Sequence, residues 1–246
     1  MHYGEIISLG RHRLMCGDAT NRDDVMRLLG EEKIDLVLTD PPYGINIFYG
    51  KGGKIGGGCH HATLRDVRCL KAYVHKEFKD DSREPAKNFY HIAETLTDKL
   101  IFWGGSYFTD FLPVSGGWIF WDKNRRNMDF SDGELAWKSW GNKIKYYKQT
   151  WNGVCMEGSY KLNGRKERAR LHPTQKPVEL HMKILEDNSK PDNVILDCFG
   201  GSGTTLIACE LTGRKCFMME ISPEYCDIIK KRYEELPPDM FREKMR

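Results

Sequence analysis

Residues 193 to 210, Asn-Val-Ile-Leu-Asp-Cys-Phe-Gly-Gly-Ser-Gly-Thr-Thr-Leu-Ile-Ala-Cys-Glu, leave the fold little freedom. An apolar run of strand length ends in Asp197, a glycine-rich turn follows at once, and a helix-like segment opens at Thr204. A strand that is apolar on both faces needs cover on both, as inside a parallel sheet. The glycines let backbone approach a ligand, and the helix start offers unpaired N–H groups. No Lys precedes Thr204, so this is not a phosphate-binding P-loop, and the glycine spacing does not fit the dinucleotide fingerprint. An acid at the strand end repels a diphosphate and attracts an ammonium or sulfonium centre. Further on, Gly-Arg-Lys-Cys-Phe-Met-Met-Glu-Ile-Ser-Pro-Glu-Tyr brings a second strand to Glu220. That is about twenty residues past the loop, where a ribose-binding acid falls in nucleotide-binding α/β units. Together the two halves predict a nucleoside site.

The same alternation runs along the chain and predicts an α/β fold, a mostly parallel twisted sheet with helices on both faces. Strands are expected at Arg13 to Cys16, Ile34 to Thr39, Lys99 to Trp103, Trp118 to Trp121, Glu134 to Lys138, Lys145 to Trp151, Asn193 to Cys198 and Lys215 to Glu220. Helices are expected at Asp23 to Leu29, capped by Thr20 or Asn21, and at Pro85 to Leu96, Val178 to Glu186, Thr204 to Leu211 and Pro223 to Glu234. Most of the aromatics from Trp118 to Trp151 fall within these strands and are expected in the core. One catalytic domain over 1–246 accounts for this pattern. It would carry a flexible glycine-rich insert near 45–90, with Gly50 to Gly58 as its loop, and a small basic region near 123–170.

Charge is uneven. Between Trp121 and Arg170 twelve Lys and Arg stand against six Asp and Glu, a net +6, which leaves −3 for the rest of a chain whose total is +3. A basic segment beside a mildly acidic body suits either a polyanion contact or a solvated lysine-rich surface. The eight cysteines form no C-x-x-C, and several sit in apolar runs, as buried free thiols do in a reducing compartment. The Cys59, His60, His61, Cys69 and His75 group matches no common zinc spacing, so no metal is expected. The N-terminus lacks the apolar core of a signal peptide and no stretch approaches a membrane span, which predicts a cytoplasmic protein.

A second feature is Lys33 to Ile45, an apolar strand that stops at Asp40-Pro41-Pro42-Tyr43-Gly44. Alone it reads as a turn. With the glycine loop present, the chain resembles the DNA amino-methyltransferases. Asp197 to Thr205 resembles their S-adenosylmethionine loop, Asp40 to Tyr43 their catalytic motif, and His172-Pro173-Thr174-Gln175-Lys176-Pro177 and Gly17-Asp18-Ala19 two further blocks. The catalytic motif comes first and the cofactor loop last, as in the circularly permuted β class. The resemblance implies a Rossmann-like methyltransferase fold in which Asp197, Glu220, Asp18 and Asp40 all lie at the carboxyl ends of parallel strands, where open α/β sheets bind ligands.

It also implies roles. Phe199, Gly200, Gly201, Ser202, Gly203 and Thr204 would wrap the methionine part of S-adenosyl-L-methionine, with Asp197 close by. Glu220 would take the ribose hydroxyls, Asp18 the adenine amino group of the cofactor, and Lys176 the methionine carboxylate or else a surface salt bridge. Asp40 and the Pro41 carbonyl would accept both hydrogens of an exocyclic amino group. Pro42 would fix the backbone and Tyr43 would stack on a base flipped out of DNA. The insert between the two halves is where the group carries target recognition, which makes Lys161, Arg165, Lys166, Arg168 and Arg170 candidates for phosphate contacts.

By family habit Asp in the first position leans towards adenine N6, while cytosine-N4 enzymes more often have Ser. A restriction-modification or orphan enzyme of bacterial or phage type follows from this. Cytosine N4 stays open as an alternative, as does a regulator that keeps the pocket without catalysis. The small recognition region would suit a homodimer, or a taste for exposed single strands.

Overall fold

The computed structural model describes residues 1–45, 82–124, 131–150, 161–162, 165–166 and 175–236. Its main sheet is formed by β1 (Ile6–Leu9), β2 (His12–Cys16), β3 (Leu36–Thr39), β4 (Leu100–Trp103), β5 (Trp118–Asp122), β6 (Gly133–Lys138), β7 (Ile144–Lys148), β10 (Val194–Asp197) and β11 (Lys215–Glu220), while β8 (Lys161–Leu162) and β9 (Arg165–Lys166) pair as a separate hairpin. The spatial order is β1-β2-β11-β10-β3-β4-β6-β5-β7. Five neighbours, β2, β11, β10, β3 and β4, run parallel, and β1 and β6 are antiparallel to theirs. The β10 and β3 strands are buried throughout, which is why their sequences are plain apolar runs.

Helices α1 (Arg22–Leu29) and α2 (Glu84–Ala93) cover one face, and α3 (Val178–Asn188), α4 (Thr204–Thr212) and α5 (Pro223–Glu234) the other. Their ends follow ordinary capping chemistry. The Asn21 side chain accepts from Asp23 N, and the Ser222 hydroxyl accepts from Tyr225 N ahead of Pro223. The expected fold is therefore present, with elements shifted by a few residues at their ends. The antiparallel edge strand β1 is an addition to the expected set.

The two expected regions overlap elements that the sequence also predicts. Part of the stretch 45–90 is the start of α2, whose Phe89 is in the core, in line with the helix expected from Pro85. Part of the stretch 123–170 is β6 and β7, which belong to the main sheet. The aromatics there divide: Trp121, Trp137 and Tyr147 are buried, whereas Tyr146 is exposed on edge strand β7. The Gly50 to Gly58 loop, Cys59, His60, His61, Cys69, His75, Cys155, Arg168, Arg170 and His172 to Thr174 lie outside the described residues, as do the side chains of Lys161, Arg165 and Lys166. Among the described residues Cys16, Cys198, Cys209, Cys216 and Cys226 are free and buried, and no helix is long and apolar enough to cross a membrane.

Candidate active site

The chain leaves β10 for β11 on one side, while β3 pairs on the other. The sheet thus has its switch point between β10 and β3, and a crevice opens beyond their carboxyl ends. Thr39 and Asp197, 158 residues apart in sequence, meet there, with the Thr39 hydroxyl 2.9 Å from the carboxylate. A cavity of about 800 Å³ runs along this edge. Asp18, Asp40, Pro41, Pro42, Tyr43, Lys176, Asp197, Phe199, Gly200, Gly201, Ser202, Thr204 and Glu220 all line it, so the residues predicted from separate parts of the chain share one site. Gly203 sits at the N-cap of α4 with φ 83°, a conformation that favours glycine, and its N–H bonds the Gly200 carbonyl at 2.8 Å.

The glycine turn is held by its neighbours. The Gly200 N–H donates to the Met219 carbonyl at 2.9 Å, and a Cβ on Gly200 would lie 2.8 Å from the Met218 side chain. The Gly201 N–H donates to Glu220 Oε2 at 2.7 Å, and the Ser222 N–H to Oε1 at 2.9 Å. Burial pushes the Glu220 carboxyl up to about 7, although these N–H groups favour its charged form. Asp197 is pushed up to about 6 by burial, against three donors, the Thr205 hydroxyl at 2.6 Å, the Thr39 hydroxyl and the Phe199 N–H at 3.1 Å. Asp18 accepts from the Thr20 N–H and hydroxyl, each at 2.8 Å, which fixes the turn into α1. The Ser202 carbonyl takes a 2.8 Å bond from the buried Arg232 guanidinium on α5. The ring of Phe199 packs edge-on against Phe89 of α2, 5.6 Å between centroids.

The other end of the cavity is built differently. Asp40 keeps 18 % of its side chain exposed and forms an ion pair with Lys176, which is itself 5 % exposed. The Tyr43 hydroxyl donates to Asp40 Oδ1 at 2.5 Å and receives from Lys176 Nζ at 3.1 Å. Lys176 Nζ also lies 3.4 Å from Glu134 of β6 and 5.0 Å from the Trp103 ring centroid. Burial raises the Asp40 carboxyl above its ordinary value, with Glu134 adding to the rise, while Lys176 and the Tyr43 hydroxyl oppose it. The Tyr43 phenol is pushed well above its usual range by burial and the Asp40 charge. Its ring stacks on Tyr107, with centroids 5.2 Å apart and planes at 18°.

Of the two expectations for Lys176, the surface salt bridge does not hold. The residue is not on the surface, and its ammonium is spent on Asp40, because the segment entering α3 brings it over the end of β3. Sequence reasoning also missed Glu134, Tyr107, His181 and Arg232. His181 lines the cavity and stacks on Trp103 at 6.2 Å, and burial pushes it down to about 3, so it is neutral. A lone acid in the strand Glu-Leu-Ala-Trp, and an arginine on the inner face of the last helix, were the signals available.

The chain is similar to known proteins along most of its length. The N6/N4 DNA methylase family matches residues 115–231. The type II methyltransferase M2.MboI of Moraxella bovis is 33% identical across 91% of this chain and 90% of its own length. This chain belongs to the DNA amino-methyltransferases. The type II methyltransferase M.HpaI of Haemophilus parainfluenzae is 26% identical over 90% of this chain and 74% of its own. Two solved structures share the fold. A DNA modification methylase of Thermus thermophilus, complexed with S-adenosyl-L-methionine, has TM-score 0.53 and 19% identity over 92% of this chain and 97% of its own. The cytosine-N4-specific PvuII methyltransferase has TM-score 0.50 and 16% identity over 93% and 92%.

The cofactor of the family is S-adenosylmethionine. The residues here fit it. Gly200 and Gly201 line the cavity with backbone alone, and the cavity is of ligand size. The carboxylate of Asp197 suits a cationic sulfonium, and that of Glu220 can accept from hydroxyl groups.

Proposed function

We propose that this DNA methyltransferase acts on the N6 amino group of adenine, flipped from the helix at a short specific sequence. The observation that carries the reading is Asp40. It stands at the end of β3 and lines the same cavity as the glycine loop. An exocyclic amino nitrogen is a poor nucleophile because its lone pair is delocalised into the ring. With one hydrogen held by the Asp40 carboxylate and the other by the Pro41 carbonyl, the nitrogen becomes more pyramidal and its lone pair is directed along the cavity. Bound S-adenosylmethionine supplies an electrophilic methyl group, whose bonding electrons remain on sulfur. The amino nitrogen gains positive charge as the new bond forms and afterwards releases one proton, so an ionised Asp40 stabilises the step electrostatically. Tyr43 supports the ring of the base.

In this reading Glu220 accepts from the ribose hydroxyls and Asp18 from the cofactor's adenine amino group. Phe199 to Thr204 enclose the methionine part beside Asp197. Lys161, Arg165, Lys166, Arg168 and Arg170 contact DNA phosphates. Asp in the first motif position supports adenine over cytosine. Digesting methylated DNA to nucleosides tests the reading. N6-methyladenine is the expected product, and N4-methylcytosine would overturn the choice of base. Wild-type protein that binds DNA yet transfers no methyl group would replace the enzyme with a binding module.

A further inference from the structure

A ladder of alternating charge runs inward to the catalytic end of the cavity: Lys123, Glu134, Lys176, Asp40. Lys123 holds Glu134 through Oε1. The other oxygen, Oε2, is buried, makes no hydrogen bond among the described residues, and lies 3.4 Å from Lys176 Nζ. A buried carboxylate oxygen in that condition is costly unless it has a task.

We propose that Glu134 is a positioning residue, the reserve acceptor that takes the Lys176 ammonium when the amino group of the substrate claims Asp40. The inference rests on the reading of Asp40 as the amino-group acceptor. As the site stands, both Asp40 oxygens are engaged, Oδ1 by Tyr43 and Oδ2 by Lys176. Each oxygen keeps a second lone pair, but an amino group that takes it competes with Tyr43 or Lys176 for the same charge and loosens the hold on Lys176. An ammonium left buried without a partner is strongly destabilising, as when one member of a buried ion pair is removed. Glu134 removes that cost, because a shift of Nζ towards Oε2 exchanges one carboxylate for another. The Trp103 ring can face the cation during the exchange. Lys176 and Lys123 outweigh the burial that would raise the Glu134 carboxyl, and hold it below its ordinary value, so it is charged when needed.

The groups that act on the charge of Asp40 are Tyr43 on its own loop, Lys176 just ahead of α3, Glu134 on β6 with Lys123 behind it, and Asp197 on β10. Of these, Glu134 raises the Asp40 carboxyl and Lys176 lowers it. Glu134→Gln should therefore move the Asp40 titration to lower pH, the opposite of removing Lys176.

The test is Glu134→Gln and Glu134→Asp in the full-length protein. The Asp40 carboxyl is followed by carbon-13 NMR, assigned with Asp40→Asn, and kcat, KM and cofactor Kd are measured alongside. Expected for Glu134→Gln are a kcat at least tenfold lower, a cofactor Kd within twofold of wild type, and a lower titration midpoint. Glu134→Asp should restore most of the rate. A wild-type kcat and midpoint in Glu134→Gln would overturn the proposal. So would a rate loss matched by loss of cofactor binding and not rescued by Glu134→Asp, since that pattern marks a structural role. If wild type itself transfers no methyl group to DNA, the functional reading fails instead, and the NMR midpoint still decides whether Glu134 governs Asp40.

Discussion

The two ends of the cavity hold their acids in different ways. Asp197 and Glu220, at the cofactor end, are satisfied by hydroxyls and backbone N–H groups that belong to the fold. Asp40, at the catalytic end, is satisfied by an ammonium and a phenol on long side chains. The first arrangement needs no rearrangement to receive a ligand. The second is held by side chains that a base reaching Asp40, as proposed, would compete with. If the proposed roles hold, binding is built into the backbone, whereas chemistry depends on side chains that can change partner.

Substitutions at the catalytic end should therefore damage turnover and spare cofactor binding. Asp40→Ala removes the acceptor and should lower kcat by about 10²- to 10³-fold, comparable to loss of one electrostatic group in other active sites. Cofactor Kd, measured by calorimetry, should stay within a few-fold of wild type, and a parallel loss of both would dissolve the distinction between the two ends. Lys176→Met should come next, lowering kcat on the order of tenfold or more. Lys176 favours the charged form of Asp40, so its loss leaves burial opposed by the Tyr43 hydroxyl alone and moves the acid limb of the kcat profile to higher pH. A limb that stays in place would show that Asp40 does not depend on this counter-charge.

The contrast also explains what could be read in the sequence. The strands β2, β11, β10 and β3 were each legible as local signals, an apolar run, a terminal acid and a short turn, and the family resemblance of the motifs placed them in one parallel run. Cofactor-end contacts such as Gly201 to Glu220 follow from that placement, since the partners are backbone groups at fixed places. The Asp40 to Lys176 pair does not. It depends on where a segment far along the chain crosses the end of β3, and on which way a flexible side chain turns. Glu134 was less legible still. Strand β6 sits between β4 and β5, antiparallel to both, and only that non-local pairing brings its acid to the cavity. A one-residue slip of β6 would turn Glu134 to the other face.

At the cofactor end, effects should be smaller and should appear in binding. Glu220→Gln keeps the shape and loses the charge, so cofactor affinity should fall about tenfold, the scale of a hydrogen bond to a charged group. Affinity of the wild type should rise as pH passes about 7 and the carboxylate ionises. Stability of the cofactor-free protein should move the other way. The folded value of Glu220 lies above its ordinary 4.5, so the folded state holds the proton more tightly than the unfolded chain. Its contribution is full below about 4.5 and fades as pH rises through about 7. Thermal melts between those values should show a shallower decline in Glu220→Gln than in wild type, and an equal slope would remove Glu220 from the account.

The smallest effect tests whether the cofactor end is as rigid as its hydrogen bonds imply. Thr39→Val deletes one of three donors to Asp197 and leaves a methyl group of nearly the same size. The expected cost is about 1 to 2 kcal/mol of folding stability, read by urea denaturation. Because the hydroxyl favours the charged form, the Asp197 carboxyl should rise further from its value of about 6. Cofactor Kd should change by less than twofold, because Thr205 and the Phe199 N–H still hold the carboxylate in place. Thr39 is next to Asp40 in the chain, so kcat is the informative measurement. If β10 and β3 are a fixed frame, kcat stays near wild type. A kcat that falls tenfold with cofactor binding intact would mean that the frame itself aims Asp40, and the two ends of the cavity would have to be treated as one mechanical unit.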